Sequence, residues 1–241
     1  MSHFTLVHGS CHGAWCWAEV IAALTRLGHS ARAIDLPAHG ADRTPPGEAT
    51  LDRYAAAILG AIDKPTILVG HSAGGFPVTL AASLAPEKIT RLIYLCAYVP
   101  ALGQSIIDLR RAGPRQPLKG VVKADPGGVT YHADPAGARR TFFHDCPEDK
   151  AAAAVRLLGP EPIAPQATPL PPGLETPPHP RHYILCEDDR TIPPEYQADM
   201  ARPFGRAVTR LPSGHSPFLT APARLARLLD LLATEAPSLV P

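Results

Sequence analysis

The sequence predicts an α/β fold: a six-stranded, mainly parallel sheet flanked by helices, with a helical cap inserted into it. Three observations predict this. Short apolar runs rich in β-branched residues alternate with amphipathic patterns of about a dozen residues, as βαβ units do. One such run, Thr66-Ile-Leu-Val69, leads through Gly70-His-Ser-Ala-Gly74 into another apolar segment, a strand–turn–helix passage. After Tyr98 the alternation breaks, and residues 101–180 hold 14 of the 29 prolines in the 241-residue chain.

Taken in order, His3-Phe-Thr-Leu-Val7 is a strand that ends at His8-Gly9-Ser10. Ala14 to Leu27 is helical by periodicity, with Trp17, Val20, Ile21 and Leu24 on one face and Gly28 as the stop. Ser30 to Leu36 is a second strand, closed by Pro37-Ala-His-Gly40, and a proline-bearing loop leads to a helix over Leu51 to Ile62. The Thr66–Val69 strand, a helix from Gly75 to Ala85 and a fourth strand from Ile89 to Ala97 follow. Within 101–180 one helix is expected, opened by Pro147-Glu-Asp149 and ended by Gly159. The prolines leave little room for other regular elements, while Tyr131, Phe142 and Phe143 give the segment something to pack. Strands at His182–Cys186 and Ala207–Leu211, a helix near Pro193-Pro-Glu195 and an amphipathic helix from Ala221 to Ala233 complete the chain. That makes six parallel strands without an antiparallel leading hairpin. Residues 1–100 and 181–241 form the two parts of the core, and 101–180 form the cap.

Composition narrows the function. With 23 basic and 22 acidic residues the formal net charge is +1, which gives no reason to expect nucleic acid or a membrane surface as partner. No apolar run approaches the roughly 18–20 residues of a membrane span. Met1-Ser-His-Phe4 runs straight into a strand, so no leader is expected. The five cysteines (Cys11, Cys16, Cys96, Cys146, Cys186) are odd in number and mostly sit in apolar surroundings, which suits a reducing, cytoplasmic setting. Neither C-x-x-C nor H-E-x-x-H occurs, so no structural or hydrolytic metal site is expected.

The chemistry follows from which polar residues fall at strand ends, where open parallel sheets place their ligands. Gly70-His-Ser-Ala-Gly74 fits the G-x-S-x-G nucleophile elbow, whose flanking glycines leave room for a sharp turn that lifts the serine clear of the sheet. A serine hydroxyl needs a histidine to take its proton and a carboxylate to orient that histidine. Later strand ends carry Asp188-Asp189 and Ser213-Gly-His215, in the order Ser, Asp, His expected of an α/β-hydrolase. Ser72 is thus the nucleophile and His215 the base. Asp188 and Asp189 compete for the third place, because adjacent strand residues point in opposite directions. Of the other histidines, His71 is structural and His12 packs under the first loop or borders the pocket. His132, His144, His179 and His182 are expected at the solvated surface.

As a set, several segments resemble a family of small α/β-hydrolases that includes plant methyl esterases, plant hydroxynitrile lyases and bacterial esterase-like relatives. They are Phe4-Thr-Leu-Val-His-Gly-Ser-Cys-His-Gly-Ala-Trp15, Gly28-His29, Asp35-Leu-Pro-Ala-His-Gly-Ala-Asp42, Phe143-His-Asp-Cys-Pro-Glu-Asp149 and Tyr183-Ile-Leu-Cys-Glu-Asp-Asp-Arg-Thr-Ile-Pro193. The resemblance covers nearly the whole chain. It implies a helical cap over a largely apolar pocket, no cofactor, a small-molecule ester substrate and often a homodimer. It favours Asp189, two positions before Thr191-Ile-Pro193, as the third triad member.

The expected chemistry is ester hydrolysis through an acyl-enzyme, with the oxyanion held by the backbone N–H groups of Ser10 and Ala73. Trp15, Tyr98, Tyr131, Phe142 and Phe143 are the candidate pocket residues. Two rivals share the scaffold: a cyanohydrin lyase and a non-catalytic binding protein. In the plant lyases a lysine follows the catalytic histidine and a threonine follows the first-loop histidine. Here those positions hold Ser216 and Gly9, and Gly9 is expected to let the first loop approach an ester carbonyl.

Overall fold

The computed structural model describes residues 1–234. Its first third runs β1 (His3–Val7), α1 (Ala18–Arg26, after a 3-10 turn at Ala14–Trp17), β2 (Ser30–Ile34), α2 (Leu51–Gly60), β3 (Thr66–His71), α3 (Gly75–Leu84) and β4 (Ile89–Leu95). An insertion follows: α4 (Ile106–Ala112), β5 (Val122–Ala124), β6 (Thr130–Ala133), α5 (Pro135–Thr141), α6 (Glu148–Leu157), β7 (Glu161–Pro162) and α7 (Ile163–Ala167). The chain then returns with β8 (Arg181–Cys186), α8 (Pro194–Met200), β9 (Val208–Leu211), α9 (Pro217–Thr220) and α10 (Pro222–Thr234).

Six strands form one sheet in the order β2-β1-β3-β4-β8-β9, and every pairing in it is parallel. The chain leaves β1 toward one edge and then crosses back, so the order reverses between β1 and β3. The carboxyl ends of those two strands flank the crevice where such sheets bind ligands. Their register sets Val7 beside Gly70, which brings the loop after β1 against the turn after β3.

Strand alternation divides the core in two. In β4, Leu92 and Tyr94 join Tyr54, Phe76 and Phe204 on one face, while Ile93 and Leu95 join Trp17, Leu24, Phe218 and Leu229 on the other. α2 and α3 cover the first face, and α1 and α10 the second. Fully burying side chains of this size contributes about 1.5–3 kcal/mol each. Both faces are therefore dry, which is why the strands read as continuous apolar runs.

The insertion departs from expectation. It carries four helices and a small antiparallel sheet, β5-β6-β7, where a single helix was expected from the proline count. The prolines do not break these elements because they occupy helix starts: Pro135 opens α5, and Pro165 lies in the first turn of α7. Amide donors in a first turn have no intrahelical acceptor, so proline removes nothing there. Ala138, Phe142, Phe143, Cys146, Ala151 and Ala154 give the insertion a small core of its own. His182 is a second correction. It is buried within β8 and bonds Thr209, because a strand in the middle of the sheet exposes neither face.

Candidate active site

Ser72 stands at the end of β3 with φ 52°, in the left-handed region that a non-glycine residue occupies only under constraint. The glycines around it explain how the turn closes. A Cβ on Gly70 would lie 2.6 Å from Val78 Cγ2 and 2.8 Å from the Gly74 carbonyl oxygen, and one on Gly74 would lie 2.7 Å from the His8 carbonyl oxygen. Gly9 allows a close approach of the first loop to the nucleophile. Its Cβ would stand 2.7 Å from Ser72 Cβ and 2.8 Å from His71 Nδ1, so the bare loop presses on the serine itself.

His215 Nε2 lies 3.1 Å from Ser72 Oγ, and its Nδ1 lies 2.7 Å from Asp189 Oδ2. All three side chains are buried. Asp188 is exposed and takes no part in this row. The Asp189 carboxylate is itself held by four donors. Oδ1 accepts the N–H groups of Thr191 (2.6 Å) and Ile192 (3.0 Å), and Oδ2 accepts Gln197 Nε2 (2.8 Å) besides His215. Gln197 is fully buried and also accepts the Cys186 N–H, so it ties the carboxylate to the end of β8. Nothing in the local sequence marks Gln197; only α8 packing back on β8 makes it a partner.

Three further residues fix the histidine. His71 Nε2 donates to the His215 carbonyl at 2.9 Å, and the two rings lie 4.6 Å apart. Burial, reinforced by the neighbouring His215, pushes the His71 pKa well down, so His71 is a neutral prop. Cys96 Sγ reaches the same carbonyl at 3.5 Å. From the insertion, Asp145 accepts the Gly214 N–H at 2.6 Å. The ring and thiol donors of His71, Cys96 and His215 lie within 4.8 Å of one another, a spacing a metal could use. Both His215 nitrogens and His71 Nε2 already have partners, however, and His71 Nδ1 faces the Gly9 backbone. This set fits a held imidazole better than a metal centre.

Beside Ser72, the loop after β1 is held from two sides. The N–H of Ser10 meets no protein acceptor among the described residues. Ala73 opens the turn after Ser72, where helix geometry leaves amide donors free. Next in the loop, Cys11 has φ 63° and is clamped by the insertion. Its N–H donates to Glu161 Oε2 at 2.6 Å, and its carbonyl accepts the Gly159 N–H at 2.9 Å. Glu161 is 1% exposed, lies 2.9 Å from His39 Nε2 and accepts Gln166 Nε2, which also reaches Ser10 Oγ. Burial alone would lower the His39 pKa, but the charge and hydrogen bond of Glu161 outweigh it and raise the value.

A cavity opens over Ser72 and His215. Of the anticipated pocket residues it is lined by Tyr98, Tyr131 and Phe142, together with Ser10, and not by Trp15 or Phe143. Phe142 and Phe143 follow one another at the end of α5, so they point about 100° apart; Phe143 is buried in the insertion's own core. Trp15 stacks on His12 at 5.4 Å, and it is His12 that reaches the cavity. Burial lowers the His12 pKa to about 4, so its ring is neutral. Ile106, Arg110, Leu118, Val122, Gln166 and Thr191 line the cavity without having been foreseen. A second cavity lies beside Ala73 and Gly74 and shares Ser10, Ile106 and Gln166 with the first.

This geometry has relatives. Residues 6–228 match the model of a family described as the alpha/beta hydrolase family. Esterase PIR7B of Oryza sativa subsp. japonica is 33% identical over 175 residues, spanning 66% of this chain and 65% of that protein. Methylesterase 1 of Arabidopsis thaliana is 28% identical over 93% of each chain. Among solved structures, a pyrethroid hydrolase from Sphingobium faniae JZ-2 superposes with a TM-score of 0.85 at 28% identity, covering 96% of this chain and 97% of that one. The chain belongs to the α/β hydrolase family, beside its methylesterase-like members.

Proposed function

We propose that Ser72, His215 and Asp189 hydrolyse small or aromatic carboxylic esters through an acyl-enzyme. The chain is a carboxylic ester hydrolase, a reading that its esterase and methylesterase relatives support. The observation that carries the mechanism is the continuous hydrogen-bonded row from Ser72 Oγ through His215 to Asp189, open to an apolar cavity. His215 Nε2 takes the serine proton as Oγ attacks the ester carbonyl carbon, and Asp189 stabilises the imidazolium that forms. The carbonyl oxygen becomes an oxyanion held by the N–H groups of Ser10 and Ala73; one such donor is typically worth about 10²–10³ in rate. His215 then gives its proton to the leaving alcohol, and water, activated by the same imidazole, releases the acid.

Ile106, Leu118, Val122 and Phe142 favour an apolar acyl group, and the insertion serves as the cap that excludes bulk water. Five free, buried cysteines support a reducing, cytoplasmic setting. The lyase reading loses support at the position after His215. Ser216 is fully buried and brings no charge, and Arg139 is taken up by Glu148 and the Phe143 carbonyl, which leaves Arg110 as the arginine that lines the cavity. A panel of methyl and aryl esters, run beside mandelonitrile, tests the proposal. Ester turnover without cyanide release above background is the expected result. Enzyme-dependent cyanide release with a silent ester panel would overturn it.

A further inference from the structure

Arg110 is the basic residue of the insertion that lines the cavity over Ser72. Arg115 is paired with Glu195 and Arg139 with Glu148, both at the surface. Arg110 sits near the end of α4, partly buried, and lines the cavity that holds Ser72. Its guanidinium carbon lies 5.9 Å above the Tyr131 ring, which fixes the side chain against the cavity wall. No Asp or Glu lines that cavity, and Arg110 forms no ion pair among the described residues. Its charge is felt inside. Burial raises the phenol pKa values of Tyr98 and Tyr131, and Arg110 offsets part of each rise. The same wall carries a second unanswered group, the Thr191 hydroxyl, buried and without a partner.

A partly desolvated guanidinium without a counter-charge is costly unless a ligand supplies the charge. Its planar donors suit a carboxylate, which can take two of them at once. In a methyl ester the leaving alcohol carries no charge, so the complementary charge belongs to the acyl part. We infer that Arg110 is an anion-binding residue of this cavity and that the preferred substrate is a monoester of a dicarboxylic acid, its free carboxylate on Arg110 and its ester carbonyl at Ser72. This inference rests on the ester hydrolase reading and narrows it.

Monomethyl and dimethyl esters of the straight-chain diacids from succinic to suberic test it. At the chain length that spans Arg110 and Ser72, the wild type should prefer the monoester by about tenfold in kcat/KM, the value of one charge-assisted contact discounted for partial exposure. The preference should lie in KM and shrink as salt is raised. Arg110→Gln should bring the monoester-to-diester ratio to one or below, Arg110→Lys should keep part of it, and Arg111→Gln, at an exposed neighbour, should leave it as in wild type. Calorimetric binding of the monoesters to Ser72→Ala gives a readout independent of turnover, and adding Arg110→Gln to that variant should weaken binding about tenfold. A wild type that cleaves the diester as well or better at every length, or a preference that survives Arg110→Gln, overturns the inference while leaving ester hydrolysis intact. A protein that cleaves no ester contradicts the hydrolase reading instead, and the binding titration still decides the role of Arg110.

Discussion

Gly214 gives its backbone N–H to the Asp145 carboxylate at 2.6 Å, so the loop that carries His215 is tied to the insertion. The contact leaves no room for a side chain: a Cβ on Gly214 would overlap the Asp145 carboxylate and lie 2.6 Å from His144 Cε1. The base is thus positioned from above as well as by Asp189 behind it.

Asp145→Ala should lower kcat/KM roughly tenfold, the scale of one charge-assisted hydrogen bond, with little change in melting temperature. Asp145→Asn keeps an acceptor and should recover part of the loss. Steady-state kinetics beside thermal melts check this. An unchanged kcat/KM in Asp145→Ala would show that the loop holds itself.

The four donors on Asp189 make it the residue that fixes the His215 tautomer, whereas Asp188 points to solvent. Asp189→Asn should cost about 10⁴-fold in kcat, as loss of the orienting carboxylate does in serine proteases. Asp188→Asn should cost less than about threefold, in keeping with an exposed polar substitution. The reverse pattern would transfer the role to Asp188.

The buried Glu161–His39 pair makes a prediction about pH. The folded-state pKa of His39 is raised above its ordinary value, so the stability it contributes is fully present below about pH 6.5, the unfolded value. That stability is lost as pH rises through the raised folded value. Denaturant titrations should therefore show a decline in stability above about pH 6.5 that His39→Gln flattens. Glu161→Ala, which strands both His39 and the Cys11 N–H, should destabilise the protein by about 3–5 kcal/mol. A pH dependence that His39→Gln leaves unchanged would assign it to other groups.

What was legible in the sequence was the local part of the site. Ser72 announced itself because its turn needs glycines at fixed spacing, and His215 because it closes a strand of a parallel sheet; the strand end left Asp188 and Asp189 in competition, and the family resemblance favoured Asp189. Tyr98 was within reach as an aromatic just past a strand, and Tyr131 and Phe142 as aromatics of the cap, but Phe143 could not be told from Phe142 without the helix turn that separates them. Glu161 and Gln197 were not legible. Glu161 meets Cys11 across 150 residues of chain, and Gln197 meets Asp189 only once α8 has folded back. The insertion's extra helices were missed for a related reason: a proline at a helix start and a proline that ends a helix look alike until the neighbouring hydrogen bonds are known.

The central claim, that Ser72 is the nucleophile, is tested most directly by mass spectrometry of active protein treated with an organophosphonate ester. The account predicts a single adduct on the peptide that contains Ser72, formed in step with the loss of esterase activity. Ser72→Ala should show neither the adduct nor more than a few per cent of wild-type turnover, since losing a serine nucleophile costs up to about 10⁶-fold. Labelling at another residue, or full activity in protein labelled at Ser72, would contradict it.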